Sequence, residues 1–298
     1  MGAASILDRP LPAVLTTEMP DGRLQSTVVW YRREGAQLSI NTMQEFQKAR
    51  NLRARPRATL LVVEPDPTAR WIEVRADVVV DGRDPVAHLD DLAYRYTGRR
   101  PYFGAVVPAE LADVENPVVF RLDPVAVVTG PRSLPGGRRG DGPAALPPGP
   151  SSCLDDDAAE PSIPLSHRGL LGAPNLAALS TRLPGGRAQT QPVWCVLDGN
   201  DVLVATTRQR RKGRNLAADP RATVLAMDGA DSGRWIEIRG DVTLDERDAL
   251  AVLDRLTRQY TGHAHYYGTV YPVEQQRHEN RVTARIHPRR ITCDAVHR

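Results

Sequence analysis

The segment richest in chemistry is written twice: Asn41-Thr42-Met43-Gln44-Glu45-Phe46-Gln47-Lys48-Ala49-Arg50-Asn51-Leu52 and Ala205-Thr206-Thr207-Arg208-Gln209-Arg210-Arg211-Lys212-Gly213-Arg214-Asn215-Leu216. In each, a strand-like run ends at a threonine (Thr42, Thr206). A lysine (Lys48, Lys212) follows six residues later, near the start of a short helix that stops before Pro56 or Pro220. A hydroxyl, free backbone N–H groups, a helix N-terminus and a cation then share one place. That combination cradles an anion, because the donors and the helix dipole favour negative charge together. Arg208, Arg210 and Arg211 add positive charge in the second segment, where the first has Gln44, Phe46 and Gln47. A solvated basic helix start is the competing reading of the same spacing.

Other chemistry is sparse. His265, Tyr266 and Tyr267 are candidate proton donors in a Gly/Tyr loop, but no nucleophile elbow or Ser-His-Asp order is present. His263 and His265 lack a third ligand cluster, so no metal is expected. Trp71 and Trp235 read as barrel core, Glu73-Arg75 and Glu237-Arg239 as ion pairs along a strand. Tyr96 and Tyr260 end amphipathic helices and are assigned to packing. The run Arg208–Arg214 has no interleaved aromatic platform, so nucleic acid is not an expected partner.

The elements that must position these residues are also duplicated. Adding 164 to a number in the first half lands on its counterpart in the second: Gly22/Gly186, Trp30/Trp194, Asn51/Asn215, Trp71-Ile72-Glu73/Trp235-Ile236-Glu237, Tyr96-Thr97-Gly98/Tyr260-Thr261-Gly262. Roughly two-fifths of the pairs between Pro20 and Val128 are identical. Two copies are too few for a solenoid, and a duplicated unit preserves the pairing of a two-fold dimer inside one chain.

Each copy reads as strands 13–17, 25–32, 37–42, 58–63, 70–81 and 117–122, with helices at 48–53 and 85–96, which suggests a small barrel. The domains are read as 1–129 and 162–298, joined by a disordered Pro/Gly tether over 130–161.

Bulk properties set wide limits. The 298 residues, 41% hydrophobic and 25% charged, suit two globular domains, and the net charge of +3 is mild. No run of about 20 apolar residues is present, and the start is not that of a signal peptide. Cys153, Cys195 and Cys293 are widely spaced. A cytoplasmic protein without membrane partners is expected.

Thr, six residues to Lys, Arg-Asn-Leu, three residues and Pro-Arg, found in both halves, resembles the split-barrel flavin and deazaflavin oxidoreductases, the group of pyridoxamine phosphate oxidase-like proteins. The resemblance spans 11–128 and 175–292. It implies a mainly β protein: two tandem six-stranded split β-barrels packed as an intramolecular pseudo-dimer, alone or as a homodimer of that unit. It places a cofactor phosphate at Thr42 and Lys48, or at Thr206, Thr207, Arg208, Arg210, Arg211 and Lys212, with Asn51 and Asn215 beside it. Val29-Trp30 and Val193-Trp194 would run along the cofactor ring.

Flavin-specific members carry an arginine where this chain has Thr27-Val28-Val29 and Gln191-Pro192-Val193. The deazaflavin coenzyme F-420 is therefore the first expectation and riboflavin phosphate (FMN) the second. The implied activity is hydride transfer to or from a small organic substrate. A non-redox module holding flavin, deazaflavin or haem, and a cofactor-independent enzyme, are the alternatives.

Overall fold

Alternating apolar residues and Asp/Gly turns produce the strands, and the turns fix their register. The computed structural model describes residues 4–64, 70–131, 161–172, 175 and 177–294. The first half runs α1 (Ala4–Leu7), β1 (Ala13–Glu18), β2 (Leu24–Val29), β3 (Tyr31–Glu34), β4 (Gln37–Met43), α2 (Gln47–Ala54), β5 (Arg57–Val63), β6 (Arg70–Val80), α3 (Pro85–Thr97) and β7 (Pro117–Pro131). The second repeats it as β8 (Ala177–Arg182), β9 (Ala188–Val193), β10 (Val196–Asp198), β11 (Asp201–Thr207), α4 (Arg211–Ala218), β12 (Arg221–Met227), β13 (Trp235–Asp245), α5 (Ala249–Thr261) and β14 (Arg281–Cys293).

Each sheet is antiparallel, ordered β2-β1-β5-β6-β7-β4-β3 in the first half and β9-β8-β12-β13-β14-β11-β10 in the second. In each, the two edge strands are one chain segment, interrupted at one residue in the first half and at two, Trp194 and Cys195, in the second. β2 pairs with β1 and β3 with β4, and only Trp30 separates them. The ring therefore closes through that residue into a six-stranded split barrel. The segment expected as one strand over 25–32 is two half-strands serving different neighbours.

The break is stitched by a phenol. Tyr31 N donates to the Tyr96 hydroxyl (3.2 Å), which reaches the carbonyls of Tyr31 (3.1 Å) and Leu11 (3.2 Å). Tyr260 does the same for Cys195 N and the carbonyls of Cys195 and Asn175. Tyr96 and Tyr260 thus satisfy backbone groups as well as pack.

β7 extends well beyond the expected 117–122, pairing with β6 throughout, with a bulge where Arg75-Ala76 faces Ala126 and Pro124. Pro124 has no N–H to give the ladder, which favours a bulge there. β7 also runs two residues into the stretch read as tether; 132–160, including Cys153, lie outside the described residues. Helix α3 has the caps its sequence promises: Asp84 accepts from Val86 N and Ala87 N, Pro85 opens the first turn, and Gly98 closes it at φ +72°.

Leu15, Tyr31, Ile40, Leu60, Val74 and Phe120 fill the first barrel, and Leu179, Val204, Val224, Ile238 and Ile286 the second. Ile6-Leu7 and Leu170-Leu171, again 164 apart, plug equivalent barrel ends. A third apolar cluster joins the halves: Val14, Val28 and Leu61 with Ala178, Leu225 and Trp235.

Polar contacts across this interface obey the pseudo-two-fold relation. Glu73 accepts from Thr190 N (3.1 Å), and Glu237 accepts from Ser26 N (2.6 Å). Thr16 and Ser180, themselves counterparts, meet at 3.1 Å on the axis, inside a buried cluster of hydroxyls completed by Ser26 and Thr190. Glu73 and Glu237 are almost fully buried beside Arg75 and Arg239. They are therefore same-strand ion pairs whose carboxylates also bridge the halves, and burial pushes both carboxyls up despite the arginines.

Candidate functional site

β4 and β11 end within the cradle segments, and α2 and α4 begin within them. The N-cap residues are Phe46 and Arg210, both extended in backbone, and neither makes a side-chain capping bond. Neither side chain carries an acceptor, so the leading N–H groups of each helix have no capping partner.

Thr42 and Thr206 are buried, and among the described residues the hydroxyl of each has no hydrogen-bond partner. Lys48 is 7% exposed, and its ammonium lies 5.6 Å from the Phe46 ring centroid. Among the described residues neither Lys48 nor Lys212 has a carboxylate partner. Burial lowers the Lys48 amine to about 8. Lys212 is brought down to about 8 by burial first, then by the like charges of Arg210 and Arg281.

Lys48 and Lys212 are the chain's only lysines among 39 basic residues. Arginine serves everywhere else. At these two matched positions the compact, titratable ammonium is retained where a guanidinium would be bulkier and permanently charged.

The arginines of the second cradle are not all free. Arg208 is paired with Glu246, and Arg210 lies 3.4 Å from Glu279. Arg211 is exposed and, among the described residues, makes no ion pair. Thr207 accepts from Arg210 N (3.2 Å), folding the loop back on itself. A Cβ at Gly213 would stand 2.1 Å from the Thr207 carbonyl oxygen, whereas Ala49 occupies the matching position in the first half. The second loop therefore sits closer on its helix.

The remaining sequence-selected residues have mainly architectural places. Asn51 is buried and donates to Thr17 (3.0 Å) and Gln25 (3.1 Å), and Asn215 donates to Thr181 and Gln189 (3.0 Å each). Both amides spend their hydrogens tying the cradle helix to the first hairpin. Val29 and Val193 point into the barrel cores. Trp30 stacks on Tyr96 (5.1 Å between centroids) and Trp194 on Tyr260 (5.3 Å). Each indole N–H is buried and has no acceptor among the described residues.

His265 is exposed, 2.8 Å from Asp254. Tyr266 and Tyr267 are buried beneath Arg281, whose guanidinium lies 4.9 and 5.3 Å from their ring centroids. Arg281 donates to the Tyr267 hydroxyl (2.8 Å), and Tyr267 also pairs with Glu279. Burial and that carboxylate raise the Tyr267 phenol, which stays protonated at neutral pH.

Sequence reasoning missed Arg281. Its counterpart is Pro117, so it falls outside the matched motifs; the signal was a charge replacing a proline at the start of an otherwise preserved strand. Arg281 and Glu279 line a cleft of about 620 Å³ with Glu246, Leu250, Val273 and Arg277. Because Glu246 and Glu279 also hold Arg208 and Arg210, cleft and cradle are contiguous in the second half. Among the described residues no His/Cys/Asp/Glu cluster could hold a metal ion, and no helix is long and apolar enough to cross a membrane.

The duplicated closed ring with its cradles defines a tandem split-barrel protein. The chain belongs to the family described as pyridoxamine 5'-phosphate oxidase, which matches residues 3–129 and again 164–293.

Solved structures resemble one half at a time. An F-420 reductase is 24% identical, covering 43% of this chain and 98% of its own, with a TM-score of 0.37. A conserved hypothetical protein, Rv2991 from Mycobacterium tuberculosis, is 22% identical over 47% and 91%, with a TM-score of 0.36. The heme storage protein HutZ from Vibrio cholerae is 14% identical over 44% and 93%, with a TM-score of 0.33. No curated protein matches the chain.

Proposed function

We propose that the protein is an oxidoreductase that binds a phosphate-bearing flavin-type cofactor, F-420 in the first place and FMN in the second. It would use that cofactor to pass hydride to or from a small organic substrate. The observation that carries this reading is the unsatisfied cradle. An uncapped helix N-terminus, a buried threonine hydroxyl without a partner and a lysine without a counter-ion, buried at 48 and half-buried at 212, recur at matched positions. Buried donors in that state call for an acceptor, and a phosphate oxygen supplies one to each.

The second half is the favoured anchor, because Lys212 has Arg211 unpaired beside it and the cleft adjoining it. There Thr206 and Lys212 would hold the phosphate, and Arg211 would meet the outlying negative charge. Arg208 and Arg210 would join on leaving Glu246 and Glu279. The cofactor, when bound, supplies the hydride chemistry. The chain's part is to fix the phosphate, shield the cleft with Leu250 and Val273, and keep a proton on the Tyr267 hydroxyl, held between Arg281 and Glu279.

Equilibrium binding of F-420, FMN and haem, followed by tryptophan fluorescence and then by turnover with candidate substrates, tests the proposal. Tight deazaflavin or FMN binding with turnover supports it. Binding without turnover would favour the non-redox module, and no binding of any of the three would overturn the cofactor reading.

A further inference from the structure

Where the chain enters the second barrel, three side chains meet that neither the cradles nor the cleft uses. Ser166 Oγ lies 2.9 Å from His167 Nδ1, and His167 Nε2 lies 2.8 Å from Asp294 Oδ2. The other carboxylate oxygen, Oδ1, accepts from Trp235 N at 2.6 Å, and Asp294 N donates back to the Trp235 carbonyl at 3.2 Å. Asp294 is thereby fixed to the start of β13, and it orients the imidazole. With Nε2–H donated to the carboxylate, Nδ1 is left as the acceptor for the serine hydroxyl. A nucleophile, a base and a group that orients the base are recognised by these roles and distances, not by sequence position. In the sequence Ser166 and His167 are merely adjacent; the fold brings Asp294 to them across 127 residues. This corrects the expectation that no Ser-His-Asp arrangement is present.

Ser166 is exposed whereas His167 is buried, so the hydroxyl meets molecules from solvent while its base stays sheltered. The serine sits on a turn in which the Pro164 carbonyl accepts from His167 N (2.9 Å) and Arg168 N (3.1 Å). Among the described residues the N–H groups of Leu165 and Ser166 donate to nothing. Backbone donors on the nucleophile and on its neighbour are therefore left for a developing oxyanion. Leu165, 89% exposed, adds an apolar contact next to them. The first barrel does without all three side chains. Its matching positions are Gly2, Ala3 and Gly130, and it closes with the same strand order. The arrangement is an addition to the second half, not a requirement of the fold.

We propose that Ser166, His167 and Asp294 form a second, cofactor-independent site that transfers the acyl group of small activated carboxylic esters to water. Ser166 Oγ bonds to the ester carbonyl carbon as its proton passes to His167 Nδ1. The bond from that carbon to the alcohol oxygen breaks, and the departing alkoxide takes the proton. Water then attacks the acyl-serine with His167 again as base, which releases the carboxylic acid and restores the hydroxyl. Ser166 and His167 touch the reacting atoms; Asp294 is a positioning residue.

The full chain, without added cofactor, is treated with a fluorophosphonate probe and, separately, with p-nitrophenyl acetate. A single phosphonyl label, mapped to Ser166 by mass spectrometry, is expected, and with the ester a burst of about one equivalent of nitrophenol followed by steady turnover. Ser166→Ala should abolish both. His167→Gln should slow acylation by roughly 10²–10⁴-fold, the usual worth of a general base. Asp294→Asn should lower kcat and leave KM unchanged, a split that lost packing alone would not give. The double variant Lys48→Gln/Lys212→Gln should keep the burst. That excludes the lysine amines as the acylated groups and separates this site from the cradles whether or not any cofactor binds.

If His167→Gln or Asp294→Asn fails to fold, the mapped label on the unaltered chain and the variant at the exposed Ser166 still decide. No label, a label on another residue, or a burst that survives Ser166→Ala would each overturn the proposal. Labelling of Ser166 without turnover of the ester would overturn it as well.

Discussion

At the residue scale the two lysines carry most of the functional argument. A buried ammonium without a counter-ion is costly, and a bound phosphate removes that cost by pairing with it. Lys212→Gln should therefore weaken cofactor binding about tenfold to a hundredfold, the worth of a charged hydrogen bond of about 1.5–3 kcal/mol. Lys48→Gln should weaken it less; equal losses in titrations of the two variants would refute the preference for the second half.

The pH dependence follows from the same amines. With each lowered to about 8 in the free protein, affinity for an anionic cofactor should fall as pH rises through about 8, as the proton that pairs with phosphate is lost. Stability of the free protein moves the other way. The unfolded chain binds more protons than the folded one between about 8 and the ordinary lysine range, so these two sites add stability as pH rises across that window and lose it as pH falls through about 8. Binding titrations and denaturant melts at several pH values read both slopes.

At the element scale the strand break at Trp30 is the feature the barrel depends on. Its backbone groups are met by one phenol, so Tyr96→Phe or Tyr260→Phe should cost about 1–3 kcal/mol each, read from denaturant midpoints, by stranding buried polar groups. The two cradle loops should also respond differently to one methyl group. Gly213→Ala forces a Cβ against the Thr207 carbonyl, so it should lower stability and shift the Arg208–Arg211 loop. Ala49→Gly should cost only about 0.5–1 kcal/mol of helix propensity.

The sequence makes the repeat, the succession of strands and helices along each copy and the strand–loop–helix cradle legible, because these are set by local periodicity and turn chemistry. The break at Trp30 was not legible, since it exists only where β1 and β4 compete for the two ends of one segment. The length of β7 was hidden for a related reason: Pro124 looks like a terminator until β6 supplies the partner that tolerates a bulge. Within the site, Thr42, Thr206 and the lysines follow from spacing. Arg281 and Glu279 belong to the site only because the start of β14 folds over Tyr266 and Tyr267.

At the scale of the whole molecule, the interface of a two-fold dimer is satisfied inside one chain. Glu73 and Glu237 each cross to the opposite half, 117 and 211 residues away in sequence, and no local pattern announces such contacts. Removing one end should be severe. Glu237→Ala strands Ser26 N and leaves Arg239 buried without its carboxylate, a loss of about 3–5 kcal/mol, visible as a lower, still cooperative unfolding midpoint.

The axis also shows why the pairing stays within the chain. In a symmetric dimer the residue at position 18 would meet its own copy; here Glu18 meets Arg182, a match that neither half could make with a second copy of itself. With the hydroxyls, carboxylates and apolar residues of the pseudo-two-fold interface spent inside one chain, we expect a monomer of 32.7 kDa by light scattering across the micromolar range. A concentration-dependent dimer would mean that a further surface, outside the pseudo-two-fold interface, pairs one chain with another.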